Sequence, residues 1–374
     1  MEKEWGTIQV KLRFGKKGSF VELRQLISLV DETEGILQKY KDSYEIKEFY
    51  TLQELKKYVE TLQIYETIQS CKQIAESVLK CTNHSKEGMD ENREREHNLE
   101  DFICSTEKKN RNIYDKPKSK RDARLDLLFE DKIKRTQYPK LEECLLIAAT
   151  DETIAWANSV NLATVGYENP NVCEQTLSQV EMIVEGFEEV DAEFLKRTWQ
   201  RYHHIPWIIA CTKRCVIREL TLDDMDALFE LYRDKEVSKF TESLFDREEE
   251  TDYQRAYINN MYRYFGYGIW LVFHKETGEL IGRAGLEHRE YGEELELELG
   301  YLIGTKYQRQ GYATEVCKAI IDYAEHEICA YGVNCLIEQE NTASIALAKK
   351  LGFSFLEYYE TNGKKMLRFR IAFS

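Results

Sequence analysis

Three stretches between Gly268 and Ile303 carry apolar residues at the period of a strand, and a short turn leads from the last of them into Gln308-Arg309-Gln310-Gly311-Tyr312-Ala313-Thr314-Glu315. A helical pattern follows at Val316, Ile320, Ile321, Tyr323 and Ala324. The strands Gly268–His274, Leu280–Glu287 and Leu295–Ile303, joined at Glu276-Thr277-Gly278 and Tyr291-Gly292, predict an antiparallel meander. The junction after it matters most. A helix start leaves backbone N–H groups without partners and carries a partial positive charge, which suits a pyrophosphate. Gly311 permits close approach of the backbone to such a ligand, and the small Ala313 leaves room beside it. By itself the pattern is equally compatible with an ordinary loop.

The flanking sequence extends the pattern. Upstream, Cys215-Val216-Ile217-Arg218 reads as a strand leading to Thr221-Leu222-Asp223-Asp224, a variant capping box that opens a helix with Leu222, Met225, Leu228, Phe229 and Tyr232 on one face. A second helix, Tyr253 to Tyr264, places Tyr253, Ala256, Tyr257, Asn260, Met261 and Tyr264 along one stripe, where tyrosines are expected to serve the core.

Gln-x-x-Gly-x-Ala between a strand and a helix resembles the coenzyme A signature of the GNAT superfamily of N-acetyltransferases. Ile281-Gly282-Arg283-Ala284-Gly285-Leu286, Leu299-Gly300-Tyr301-Leu302-Ile303, Asn341-Thr342-Ala343-Ser344 and Leu351-Gly352-Phe353 are similar, in order and spacing, to its ribosomal-protein N-terminal acetyltransferase branch. The likeness runs from about Lys213 to Ser374. It implies an α/β fold with a mixed, mostly antiparallel central sheet flanked by helices, acetyl-CoA as acyl donor, no metal, and an amine acceptor from a protein N-terminus or a small molecule. It further implies that the main chain of Gln308, Arg309, Gln310, Gly311, Tyr312, Ala313 and Thr314 cradles the pyrophosphate. The main chain of Tyr301, Leu302 and Ile303 would pair with pantetheine, and Asn341 would bond the cofactor arm. Asn341 is equally suited to capping its helix, and the two roles are compatible.

Direct attack by an amine needs a base. Glu296 and Glu298 share one face of their strand because side chains alternate, with Leu295, Leu297 and Leu299 on the other. The family often places a strand carboxylate at about this distance before the glycine, so Glu298 is the first candidate and Glu296 the second. A one-sided sheet with solvent-facing glutamates would give the same pattern. Where many relatives carry a tyrosine acid, this chain has Ala348, which leaves Ser344 or water to protonate the departing thiolate. Acceptor choice is expected to lie in the segments Lys239–Glu250 and His288–Glu294.

The chain of 374 residues is too long for one core. From Leu141 to Tyr202 short buried strands alternate with helices: Cys144–Ala149, a helix from Asp151 to Ser159, Leu162–Val165, Met182–Val184 and a helix from Asp191. That alternation predicts a small Rossmann-like unit of parallel strands. Leu146 to Ala157, with Ala163-Thr164-Val165-Gly166-Tyr167 and Val184 to Val190, resembles the C-terminal half of a haloacid-dehalogenase-type hydrolase. Such hydrolases need an Asp-x-Asp after the first strand, which is missing upstream of Leu141, so the resemblance implies a degenerate scaffold in which Asp151 serves its helix start rather than a magnesium ion. We therefore expect four regions. Residues 1–80 form a strand (Thr7–Phe14) plus a helix carrying Leu52, Leu55, Val59, Leu62 and Tyr65; residues 81–138 are a charged, flexible linker; 139–206 are the degenerate α/β unit; and 213–374 are the acetyltransferase domain.

Residues 1–212 hold 31 Lys/Arg against 38 Asp/Glu and residues 213–374 hold 21 against 29, so both parts are acidic and together give −15. An even negative balance argues against nucleic acid as partner. The basic run Asp115 to Arg121 fits either a contact for an acidic partner or a solvated loop. No apolar run is long enough to span a membrane and the N-terminus lacks a signal pattern, which predicts a cytoplasmic chain. Ten cysteines without a CxxC pair are expected to be free, mostly buried thiols, with Cys317, Cys329 and Cys335 among them. The alternative to an enzyme is an acyl-CoA-binding regulatory or scaffold module.

Overall fold

The computed structural model describes residues 21–29, 36–82, 139–170, 175–361 and 363–373. The expected strand at Thr7–Phe14 and most of the expected linker fall outside them. The chain divides into two compact units, with the boundary between His203 and His204.

The first unit contains β1 (Gln25–Leu29), β2 (Glu45–Phe49), α1 (Leu52–Thr82), β3 (Cys144–Ala148), α2 (Asp151–Ser159), β4 (Ala163–Tyr167), β5 (Ile183–Val184) and α3 (Ala192–Tyr202). Among the described residues its five strands are all parallel, in the order β2-β1-β3-β4-β5. The alternation of short apolar runs and helices predicts this, because parallel strands need crossovers that cover both faces. The pairing of β1 with β3 joins Gln25 to Cys144 and so brings the N-terminal region into the sheet. Leu55, Val59 and Leu62 of α1 are buried in the same core as Ile27, Leu146 and Ile154. Asp151 is the first residue of α2, with Thr150 as its N-cap. Its carboxylate accepts hydrogen bonds from the Thr176 and Leu177 amides at 3.0 and 2.8 Å and from the Thr176 hydroxyl at 3.1 Å. These bonds, the Thr176 amide foremost, hold its pKa below the usual carboxylate range.

The second unit contains β6 (Ile208–Cys211), β7 (Cys215–Arg218), α4 (Met225–Tyr232), α5 (Arg247–Tyr257), β8 (Ile269–His274), β9 (Leu280–Tyr291), β10 (Glu294–Ile303), α6 (Tyr312–His326), β11 (Gly332–Glu338), α7 (Thr342–Lys350), β12 (Ser354–Thr361) and β13 (Lys364–Ala372). They form one eight-stranded sheet in the order β12-β13-β11-β10-β9-β8-β7-β6. Every neighbouring pair is antiparallel except β10 and β11. Trp270 of β8 meets Tyr323 of α6 edge-on, with ring centroids 5.4 Å apart, which places α6 on the sheet face carrying the even-numbered residues of β8 and β9. The Thr221–Asp224 capping box forms as expected.

Three expectations change in detail. The helix after Arg247 ends its α-helical part at Tyr257 and continues as a π turn over Ile258–Phe265, closed by Gly266 in the left-handed conformation (φ 75°). The wider i→i+5 turn brings Tyr262 onto the core side with Tyr257 and leaves Tyr264 exposed, while Tyr253, on the preceding α-helical part, is half-exposed. The segment His288–Glu294 is not a loop: β9 runs to Tyr291 and β10 begins at Glu294, leaving Gly292 at φ 69° for the tight turn. Cys329 is exposed rather than buried, because it follows the end of α6 at φ 55°, outside the core. Cys317 and Cys335 are buried, and burial pushes the Cys335 thiol up to about 12.

Candidate active site

The sheet opens in the middle. The parallel pair β10/β11 is matched only at Leu297↔Val333 and Glu298↔Asn334. Beyond that point β10 follows β9 as far as Ile303↔Gly282, while β11 follows β13 as far as Glu338↔Met366. The two strands therefore part after Glu298, and among the described residues the edge of β10 from Leu299 to Ile303 faces no strand on that side. Alternate residues along such an edge offer their amides and carbonyls to whatever lies in the wedge. One of these groups is already engaged, since the Gln308 side chain donates to the Ile303 carbonyl at 2.9 Å.

Both strands deliver their C-terminal ends to the same side, and each is followed by a helix start. That is the arrangement in which open sheets hold ligands. At the first helix, Gly311 is the N-cap of α6 at φ 85°, with no side chain capping the free amides. Arg309 also has a positive φ, 58°. Successive amides in this kind of turn converge into an anion-binding concavity, and the helix dipole adds to it. The loop is locked from outside by Arg214. Its guanidinium donates to the Gln310 carbonyl at 3.0 Å, stacks 4.0 Å over the Tyr312 ring and pairs with Glu315 at 2.8 Å. Against the opposing effect of burial, bonds from Thr212 and Arg214 hold the Glu315 carboxyl below its ordinary range. Sequence reading missed Arg214, since its partners lie about a hundred residues downstream.

At the second helix, Asn341 caps α7 by accepting from the Ser344 amide at 3.1 Å. The Ser344 and Tyr301 hydroxyls are hydrogen-bonded at 2.7 Å, joining β10 to the start of α7. Burial raises the Tyr301 phenol to about 12, so it stays protonated at neutral pH.

The two candidate carboxylates differ. Glu298, the last residue of β10 paired to β11, is largely buried and receives the Tyr291 hydroxyl at 2.9 Å, with Arg289 forming an ion pair beside it. Burial raises its pKa, offset in part by Arg289 and Tyr291. Glu296 is fully committed. It is bound by Arg368 at 2.6 Å, by Arg370 at 3.0 Å and by the Asn334 amide at 3.0 Å. Neither is the solvent-facing glutamate that simple alternation would allow. Tyr291 and Arg289, unassigned in the sequence, are the groups that tune Glu298, and their odd-numbered parity with Glu287 is the signal that could have found them.

Among the described residues no cluster of His, Cys, Asp and Glu is placed to hold a metal ion, and no helix is long and apolar enough to cross a membrane.

Residues 214–354 match the model of the family described as Acetyltransferase (GNAT) domain. The chain is 30% identical over 148 residues to the Bacillus subtilis (strain 168) protein called Uncharacterized protein YkkB, a match covering 38% of this chain and 84% of that one. It is 29% identical over 143 residues to Uncharacterized N-acetyltransferase p20 of Bacillus licheniformis, covering 38% of this chain and 80% of the relative. Among solved structures, an acetyltransferase (GNAT family) from Bacillus anthracis aligns at 23% identity and a TM-score of 0.37, covering 43% of this chain and 96% of the other.

Proposed function

The chain belongs to the GNAT acetyltransferase family through residues 214–354, and on that premise we propose that it transfers the acetyl group of acetyl-CoA to an amine by direct attack, with Glu298 as the base. The observation that carries this reading is the parting of β10 and β11 immediately after Glu298, which sets a buried carboxylate beside a stretch of unpaired strand edge.

Each residue then has one task. The amides from Arg309 to Thr314, at the uncapped start of α6, hold the pyrophosphate. The free edge of Tyr301–Ile303 aligns pantetheine as an added strand, and a main-chain N–H of that edge stabilises the charge developing on the thioester oxygen. Glu298 takes the proton of the attacking amine, directly or through one water. The new C–N bond forms, the C–S bond breaks, and the sulfur leaves with the electron pair. Ser344, hydrogen-bonded to Tyr301, or water returns a proton to that sulfur. Glu296 is a structural carboxylate rather than a second base, because its three partners leave it no free role. In the parallel unit, Asp151 is spent on the Thr176–Leu177 turn, and this supports reading residues 139–206 as a scaffold without hydrolase chemistry.

Release of thiol from acetyl-CoA, measured with peptide N-termini and small amines in turn, tests the reaction. Turnover with at least one class is expected; tight binding of acetyl-CoA with no acceptor consumed would instead favour a binding module. Gly311→Val tests the phosphate cradle. A β-branched residue at φ 85° costs about 1–3 kcal/mol of strain. The KM for acetyl-CoA should therefore rise by roughly tenfold or more while kcat at saturation changes little. An unchanged KM would remove the loop from cofactor binding.

A further inference from the structure

One cation on the acceptor side of the sheet has no anionic partner among the described residues. Arg214 pairs with Glu315, Arg218 with Asp224, Arg289 with Glu298, and Arg368 and Arg370 with Glu296. Arg283 of β9 is different. It is half-buried, its Nε is secluded from solvent without a hydrogen-bond partner, and among the described residues no carboxylate pairs with it. Its one bond is a long donation, 3.4 Å, to the Tyr232 hydroxyl. A guanidinium cannot shed its charge and presents five donors in a fork that matches a carboxylate or phosphate. Holding one out of water with a single weak acceptor is costly unless an anion completes it.

Register shows which ligand can reach it. Arg283 stands opposite Leu302, and Glu287 opposite Glu298, so Arg283, Glu287 and Glu298 lie on one face. Ala284 and its partner Trp270 lie on the other face, with α6 and the phosphate cradle. The wedge opens on the β11 side of β10, whereas β9 lies on its opposite side. The fork is therefore turned away from the pyrophosphate cradle. It faces the region walled by α4 and α5, where Tyr232 also lines a cavity of about 570 Å³ with Phe229, Leu244 and Phe245. The acidic residues of that cavity, Asp226 and Glu230, are already matched by Arg247 and Arg233. Half-exposed Tyr253 lies within electrostatic range of both Glu287 and Arg283 and links the two ends of the path. Arg283 and Glu287 are four residues apart, roughly 13 Å of strand before their side chains converge.

Resting on the acetyl-transfer reading, we propose that the acceptor is an amine that also carries an anionic group several bonds away, and that Arg283 binds that group while the amine lies at Glu298. The test uses ω-aminocarboxylates of graded chain length, their carboxamides, and aminoalkylphosphonates. The longer carboxylates or phosphonates should exceed the matched carboxamides in kcat/KM by roughly tenfold. Whichever of the two anions is preferred names the chemistry of the natural group. In Arg283→Gln the ratio should fall to about one, and Arg283→Lys should retain part of it. Calorimetric binding of coenzyme A to each variant reports that the domain is folded. Removing an unpaired, secluded cation should leave the melting temperature unchanged or raise it, whereas a structural arginine would lower it. Equal use of carboxylates and carboxamides by the wild type, or a ratio unmoved in Arg283→Gln, overturns the proposal. If nothing is turned over, calorimetry with the same compounds in the presence of coenzyme A separates the two readings. An Arg283-dependent preference for the anion upholds the site while removing the reaction; no preference removes the site.

Discussion

Glu298→Gln should lower kcat by about a hundredfold while leaving the affinity for acetyl-CoA within about twofold, as removal of a general base does. Glutamine keeps the shape of the side chain and can still accept the Tyr291 hydroxyl, so the substitution removes proton affinity more than structure. Arg289 loses its anionic partner, and a modest fall in stability is expected alongside. The pH profile adds an independent check. Burial raises the Glu298 pKa, so the carboxylate is lost by protonation at a higher pH than an ordinary glutamate. Activity should therefore fall on the acid side, along a limb displaced upward from the usual Glu range. Tyr291 and Arg289 both favour the charged form, and Tyr291→Phe removes one of them, so in that variant the limb should move further up. A rate unaffected in Glu298→Gln, or a limb that stays in place in Tyr291→Phe, would take Glu298 out of the mechanism.

Arg368→Met should destabilise the second unit by roughly 3–5 kcal/mol, the penalty for breaking a buried charge network from one side. Arg368 and Glu296 retain side-chain exposures of only 8% and 12%. The same guanidinium also donates to the Asn334 side-chain oxygen Oδ1 at 2.9 Å and to Glu357 at 2.8 Å, and stacks 3.7 Å over the Tyr291 ring. Removing it leaves Glu296 with Arg370 and the Asn334 side-chain amide and loosens the tyrosine that holds Glu298. Thermal unfolding checks the magnitude, with a fall in melting temperature on the order of 10 °C. A change within a degree or two would mean that the network is a surface embellishment and would reopen a catalytic role for Glu296.

These two carboxylates show where the sequence stops being legible. Strand periodicity put both on one face, and that held because the period of a strand is a local property. What separates a base from a structural anion is the set of partners. The arginine partners of Glu296 lie on β13, more than seventy residues downstream, where nothing in a single sequence announces them. The meander and the Gln308–Glu315 junction were readable because turn glycines and apolar periods mark them nearby. The tyrosine stripe was misread at its end because a π turn changes the period without an obvious signal, moving Tyr262 inward and Tyr264 out. β1 and β2 escaped notice for a related reason. β1 is buried at every position and so does not alternate, and it finds its partner β3 more than a hundred residues away, while β2 is a half-exposed edge strand that pairs with β1. The parting of β10 from β11 is likewise a matter of pairing, visible only once the register is known.

Backbone amide hydrogen exchange, with and without saturating coenzyme A, tests the location of the cofactor most directly. Exchange should slow at Leu299–Ile303 and at Arg309–Thr314, where strand-edge and helix-start amides acquire partners. Protection confined to other parts of the chain, with both of these segments unchanged, would contradict the site and the chemistry assigned to it.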